Sequence, residues 1–201
     1  MTAVRVTGVI QAGGRSTRMG GQPKALLPLG GKRIIERVVD AVASVLDELL
    51  VVTNTPERYA FLGLPMVPDE FPDGGALGGI YSGLRAAGGD AAFTVACDMP
   101  FLHPAIVRMV VERAGEGDVV IPRTGDQLET MHAVYGKRCL PAMERRLRAG
   151  QLKIVGFFAD VRVVEIDAAR LASHRTPDVV FMNVNTPDEL ARARALVAEL
   201  D

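Results

Sequence analysis

Strand-like runs and segments of helical periodicity alternate along this chain, and that alternation restricts its fold more than any other feature. Residues 4–11 form a β-branched run that ends in glycines. Residues 34–46 place Ile34, Ile35, Val38, Val39, Val42, Val45 and Leu46 at helical spacing. Residues 48–53 are a short apolar run, the form expected of a strand buried on both faces. Residues 65–68 read as another short strand, 77–87 as a helix beginning within glycines, 92–97 as a buried strand and 104–114 as a helix. Strands joined through helices lie parallel in one sheet, with the helices covering both of its faces.

The second half is less regular. Residues 118–121 and 131–135 read as strands, 140–147 as an Arg-rich helix, and 162–166 and 179–184 as further strands. Residues 187–200 form a closing helix, with Thr186 as N-cap, Pro187 at the first position, and Asp188 and Glu189 in the first turn. This half is expected to add antiparallel strands. The expectation is one α/β domain over residues 1–201, with a mixed, mostly parallel central sheet. Its loops at residues 12–24, 54–56 and 98–100 follow strands, and ligands of such sheets sit at the strands' carboxyl ends.

Composition excludes several classes. The chain has 201 residues and a net charge of −1, whereas a protein that coats nucleic acid shows a basic excess. Its apolar runs are too short to span a bilayer, so no membrane association is expected. The first residues lead straight into a strand-like segment without a signal-peptide pattern. With Cys97 and Cys139 as the only cysteines, this suits a reducing cytoplasm. One imbalance is local: residues 1–40 carry seven cations against Glu36 and Asp40, which is either an anion site or a solvated basic face.

Four motifs carry candidate chemistry. In residues 12–24, Gly13 and Gly14 allow a tight turn that presents N–H groups to an anion, and Arg15, Arg18 and Lys24 bring three cations to it. Such a loop suits a triphosphate. Neither the dinucleotide fingerprint nor the P-loop pattern can be read in it. In residues 97–100, Asp98 follows a strand directly, where it either holds Mg²⁺ against phosphate oxygens or caps the following turn. Residues 74–79 are dense in glycine and preceded by Asp69, Glu70 and Asp73. They allow close approach either to a flat ligand or, as the residues alone favour, to the sheet beneath a helix. Asn183 and Asn185 are spaced by two, which on a strand places both on one face. They either read a polar ligand edge or tie down the turn into the last helix.

Other candidates are weaker. His103, before Pro104 at a helix start, reads as structural. His132, His174 and the two cysteines lack the spacing of a zinc site, and Ser16 lacks a hydrolase context. The basic run from Lys137 to Lys153 reads as a solvated helix face, with receipt of a second anionic substrate as the alternative.

Taken together, "AGGRSTRMGGQPKALL", "GALGGI", "CDMPFL", "HAVY" and "NVNTPDEL" resemble, in order and spacing, the molybdenum cofactor guanylyltransferases (MobA). The resemblance covers roughly residues 8–195. It implies a Rossmann-like nucleotidyltransferase fold. It also implies transfer of GMP from GTP to the phosphate of Mo-molybdopterin, with release of pyrophosphate and formation of the molybdopterin guanine dinucleotide cofactor. Residues 1–115 would then be the GTP-binding half and 116–201 the molybdopterin-side half.

The resemblance also implies roles. The backbone at Gln11, Ala12 and Gly13, with Gly14 and Arg15 of the same loop, would contact GTP, and Arg18 and Lys24 would face its phosphates. Asn54, Asp69 and Gly78 would complete the nucleotide site, Asp98 would hold Mg²⁺ (Mn²⁺ being the alternative), and Asn183 and Asn185 would lie toward the molybdopterin. Molybdoenzyme apoproteins or insertion chaperones would receive the product. The attacking phosphate oxygen is already an anion, so no general base is needed. Gln11 stands where the family usually has Leu, Pro23 replaces an Asp and Ala76 a Pro. The sister cytidylyltransferases tend to read "AAG" and "D-x-D-T-P", so Ala12-Gly13-Gly14 and Asn183-Val184-Asn185 lean to guanine. The rival readings are a cytidylyltransferase, a sugar-phosphate nucleotidyltransferase and a non-catalytic nucleotide-binding carrier of the cofactor.

Overall fold

The structure, a computed structural model, describes residues 4–13, 23–167 and 177–200. Its centre is β1 (Val6–Gln11), where Val9 and Ile10 are wholly buried. β1 pairs in parallel with β4 (Leu49–Val52) on one side and β6 (Ala91–Ala96) on the other, Gln11 lying level with Val52 and Ala96. β4 in turn pairs in parallel with the two-residue edge strand β5 (Met66–Val67).

Beyond β6 the direction changes. β9 (His132–Gly136) runs antiparallel to both β6 and β7 (Val119–Thr124), and β10 (Val163–Asp167) closes the sheet parallel to β7. β8 (Gln127–Leu128) folds back on β7 in a hairpin whose turn places Gly125 at φ +56°. The sheet has eight strands in the order β10-β7-β9-β6-β1-β4-β5, with β8 attached to β7. The mixed, mostly parallel sheet with antiparallel additions from the second half is as expected. A separate hairpin of β2 (Pro28–Leu29) and β3 (Lys32–Arg33) has no counterpart in the sequence reading, because two-residue strands carry no periodicity.

Residue alternation along β1 sorts the core into two layers. Ile10 faces α1 (Ile34–Ala43) and α3 (Pro104–Glu112), packing with Ile35, Val38, Ile106 and Val110. Val9 faces α2 (Gly75–Ala86) and α4 (Leu140–Arg148), packing with Leu77, Ile80, Leu84 and Met143. His103 caps α3, its Nδ1 accepting from the Ala105 N–H at 3.3 Å, which is the structural role read from its place before Pro104. α2 meets the sheet through glycine: a Cβ on Gly83 would stand 2.3 Å from Val9 Cγ1, and one on Gly79 would stand 2.5 Å from Gln11 Oε1.

Residues 179–184 are not a strand. α5 (Pro177–Val180) is a short helix, and residues 182–185 have no regular structure and do not join the sheet. The β-branched pair Val179-Val180 suggested a strand, but a proline followed by Asp178 opens a helical turn, and the Val184 N–H bonds the Asp98 carbonyl at 2.9 Å. α6 (Pro187–Leu200) then packs Leu190, Ala193 and Val197 on Leu29 and Ile34, closing a third small cluster. Its start is a capping box. The Thr186 N–H donates to Glu189 Oε2 at 2.9 Å, and the Glu189 N–H donates to Thr186 Oγ1 at 3.2 Å. Among the described residues no helix is long and apolar enough to cross a membrane.

Candidate active site

The parallel arrangement brings the carboxyl ends of β1, β4 and β6 to one edge, and the loops that follow supply Gly13, Asn54 and Asp98. Two adjoining clefts open there. One, of about 370 Å³, is lined by Gln11, Asp69, Gly75, Met131 and Asn183 among others. The second, of about 570 Å³, is lined by Lys24, Arg58, Tyr59 and Asp73 among others. Gly13, Asn54, Pro72, Gly75, Cys97 and Asp98 belong to both, so Asp98 stands on the ridge between them.

Asp98 is held from both directions. Its carbonyl takes the Val184 N–H, and its Oδ2 lies 3.9 Å from Lys24 Nζ, both side chains being about one-fifth exposed. Its Oδ1 is buried without a hydrogen-bond partner among the described residues. Burial raises the carboxyl pKa above its ordinary value, the Lys24 ammonium works against the rise, and the Glu189 carboxylate adds to it. Burial and the neighbouring Asp98 likewise push the Cys97 thiol far up, leaving it neutral.

Lys24 opens a short 3₁₀ turn after Pro23 and donates to Asn185 Oδ1 at 2.6 Å. The Asn185 N–H is itself fixed by Glu189 Oε2 at 2.6 Å. A chain of contacts therefore runs from the α6 capping box through Asn185 to Lys24. Of the two readings left open for Asn183 and Asn185, the structure shows the tie into the last helix at Asn185. Asn185 joins the Lys24–Asp98 pair, while Asn183 lines the first cleft with its Nδ2 donating to the Phe181 carbonyl at 3.3 Å.

The other expected positions divide. The Ala12 N–H is committed to the Val52 carbonyl at 2.9 Å and the Gln11 carbonyl accepts from Cys97 N–H at 3.1 Å, so within Gln11–Gly13 the exposed backbone is that of Gly13. Asn54 Oδ1 takes the Asp69 N–H at 2.9 Å, and Asp69 Oδ1 takes the Phe71 N–H at 2.9 Å, so these two brace each other on the cleft wall. Gly78 is not on that wall. It is buried against Phe71 and Asp69, where a Cβ would stand 2.7 Å from the Phe71 carbonyl oxygen, and its own carbonyl meets Ser82 Oγ at 2.9 Å. Close packing inside the protein accounts for that glycine. Gly75 instead, with φ +58° and open space where a Cβ would be, faces the clefts. Gly14, Arg15 and Arg18 lie outside the described residues, as do Ser16 and His174.

The Arg-rich face of α4 lines neither cleft. Arg145 pairs with Asp160 at 3.2 Å and Arg148 with Glu144 at 2.6 Å, the solvated face expected of it. Arg58 was not singled out in the sequence, and Glu189 was read only as a first-turn acid of the closing helix. Glu189 had a readable signal, three residues after a Thr before an apolar stretch. Arg58 and Met131 reach the clefts through tertiary structure alone.

The donors fit a hard divalent cation. Asp98 Oδ1 is an oxygen ligand whose lone pairs are unused among the described residues, beside two clefts, and Mg²⁺ commonly takes one or two carboxylates, completing its shell with water and substrate phosphate. Among the described residues no group of three His, Cys, Asp or Glu forms a cage for a transition metal.

The MobA-like NTP transferase domain matches residues 8–168. The chain belongs to that family. It is 41% identical to a probable molybdenum cofactor guanylyltransferase of Pelotomaculum thermopropionicum, over 96% of this chain and 94% of the relative. It is 40% identical to a molybdenum cofactor guanylyltransferase of Desulfosudis oleivorans, over 96% of each. Among solved structures it resembles molybdopterin-guanine dinucleotide biosynthesis protein A of Archaeoglobus fulgidus. That match has a TM-score of 0.82 and 26% identity, covering 96% of this chain and 99% of the other. The MobA-like domain match ends just past β10, whereas the alignments with the two relatives also span Asn183 and Asn185.

Proposed function

We infer that this protein is a molybdenum cofactor guanylyltransferase that joins the GMP moiety of GTP to the phosphate of Mo-molybdopterin. The observation that carries the reading is the ridge: a buried carboxylate oxygen without a partner among the described residues, a lysine beside it, and a cleft on either side. The phosphate oxygen of Mo-molybdopterin attacks the α-phosphorus of GTP in line, the bond to the bridging oxygen of the β-phosphate breaks, and pyrophosphate leaves. One P–O bond forms as one breaks, and no proton need be removed from the nucleophile.

Lys24, turned by Asn185 toward Asp98, offsets charge on the α- and β-phosphates. Gly13 offers exposed backbone beside the same phosphates. Asp98 would hold Mg²⁺, which when bound neutralises phosphate charge and favours departure of pyrophosphate. Asn54 and Asp69 brace the nucleotide wall, and Asn183 faces the second substrate. Positioning and charge neutralisation suffice for such a transfer, in keeping with the neutral Cys97 thiol beside the ridge.

Thermal unfolding with Mg²⁺ and each of GTP, CTP, ATP and UTP tests the nucleotide assignment. A ligand at a hundred times its Kd adds about 2.7 kcal/mol, a shift of roughly 5–11 °C for a chain of this size. GTP is expected to give that shift, and pyrophosphate release is expected to require Mo-molybdopterin as well. A shift with CTP alone would reassign the enzyme to cytidylyl transfer. GTP binding without pyrophosphate release in the presence of authentic acceptor would favour a non-catalytic carrier.

A further inference from the structure

The two clefts are lined for different chemistries. Lys24 and Arg58 bring cations to one of them. The other carries no Lys or Arg among its described lining residues, and four carboxamides, Gln11, Asn54, Asn183 and Asn185, converge on it. Cations suit phosphate, whereas amides among apolar walls suit an uncharged ring with hydrogen-bonding edges.

Three of those amides have protein partners. Asn54 Oδ1 holds Asp69, Asn183 Nδ2 donates to the Phe181 carbonyl, and Asn185 Oδ1 holds Lys24. Gln11 differs: its Nε2 is buried with no acceptor among the described residues. Alternation along β1 puts Gln11 on the face of Val9, beneath α2, and Gly79 comes so close that a Cβ there would stand 2.8 Å from the Gln11 Cδ. The glycine leaves room for the amide and the helix keeps it in place. A buried donor left without an acceptor keeps its desolvation cost uncompensated, and a ligand acceptor would remove that cost.

We propose that Gln11 Nε2 donates to the ring carbonyl oxygen of a 2-amino-4-oxopyrimidine edge, the edge that guanine and pterin share. Gln11 is then a specificity-determining residue, acting through its side chain as well as its place at the end of β1. The inference rests on the guanylyltransferase reading, whose two substrates both present that edge.

The test uses the full chain with Mg²⁺, as wild type, Q11L and Q11M, the last keeping the length of the side chain without its donor. Binding of GTP is compared with that of 2-aminopurine riboside triphosphate, which lacks the carbonyl, and KM for Mo-molybdopterin is measured in parallel. If Gln11 reads guanine, wild type prefers GTP by roughly tenfold more than either variant does, the variants keeping the preference that the rest of the site gives, and the acceptor KM holds. If Gln11 reads the pterin, nucleotide preference is the same in all three proteins and the acceptor KM rises about tenfold in both variants. Without nucleotide, Q11L is expected to melt no lower than wild type, since it removes an orphaned donor; a lower melting temperature would show that the amide has a partner in the protein and would overturn the proposal. Unchanged nucleotide preference together with unchanged acceptor KM would overturn it too. A wild type that binds no GTP and releases no pyrophosphate would instead overturn the guanylyltransferase reading on which it rests.

Discussion

Asp98 combines a chemical role with a cost to folding. Burial raises its pKa, so its contribution to stability is full below the pKa of the unfolded chain and is lost as pH rises through that of the folded one. Above its folded-state pKa the ionised carboxylate destabilises the ligand-free protein. Asp98→Asn is therefore expected to melt higher without ligands, by about 2–4 °C for each kcal/mol recovered, while pyrophosphate release falls roughly a hundredfold or more. Calorimetry and a pyrophosphate assay on one preparation check both. Asn185→Ala leaves Lys24 without its 2.6 Å anchor, and about a tenfold loss in kcat is expected, reflecting one lost charged hydrogen bond. At this scale the sequence was informative where chemistry sits at strand ends. Lys24, Asp98 and Asn185 were legible and do meet. What Asn185 touches was not legible, because a contact across 161 residues leaves no local pattern.

Elements were legible in proportion to their length. α1, α3, α6 and the central strands β1, β4 and β6 fall within a few residues of the segments read from periodicity, since each buries a full stripe or both faces of its backbone. The β2–β3 hairpin and β8 were too short to show alternation, and α5 was hidden by its own β-branched residues. The order of strands, with β9 inserted antiparallel between β6 and β7, depends on pairing that no single segment encodes. The glycines of α2 show a related ambiguity. Their density fits ligand approach and, as the residues alone favour, tight packing; Gly79 and Gly83 serve the packing, while Gly75 has open space where a Cβ would be. Gly83→Ala is accordingly expected to destabilise by about 1–3 kcal/mol through overpacking against Val9, despite alanine's better helix propensity. A urea titration would register this as a lower midpoint at unchanged slope.

Across the whole molecule, one sheet joins the two halves, and a buried histidine stands at the start of β9, the second-half strand that pairs with β6. His132, on β9, is fully buried edge-on to Phe93 and Phe181 at 5.0 and 5.1 Å, with neither ring nitrogen bonded among the described residues. Burial lowers its pKa to about 3. The folded chain therefore refuses a proton that the unfolded chain accepts below its ordinary 6.5. Stability attributable to His132 is intact above pH 6.5 and drains away as pH falls from there toward 3. Urea midpoints measured across that range should fall with acidity in wild type and fall less steeply in His132→Leu.

The ridge at Asp98 has a stereochemical corollary. A phosphorus centre held over it, with one partner entering from the amide-lined side and the other departing on the cationic side, can be displaced only once per turnover. Its handedness must then be reversed. GTP carrying sulfur in place of one α-oxygen, supplied as a single diastereomer, should yield dinucleotide of the opposite configuration at that phosphorus, so the product itself would record that a single in-line displacement made it.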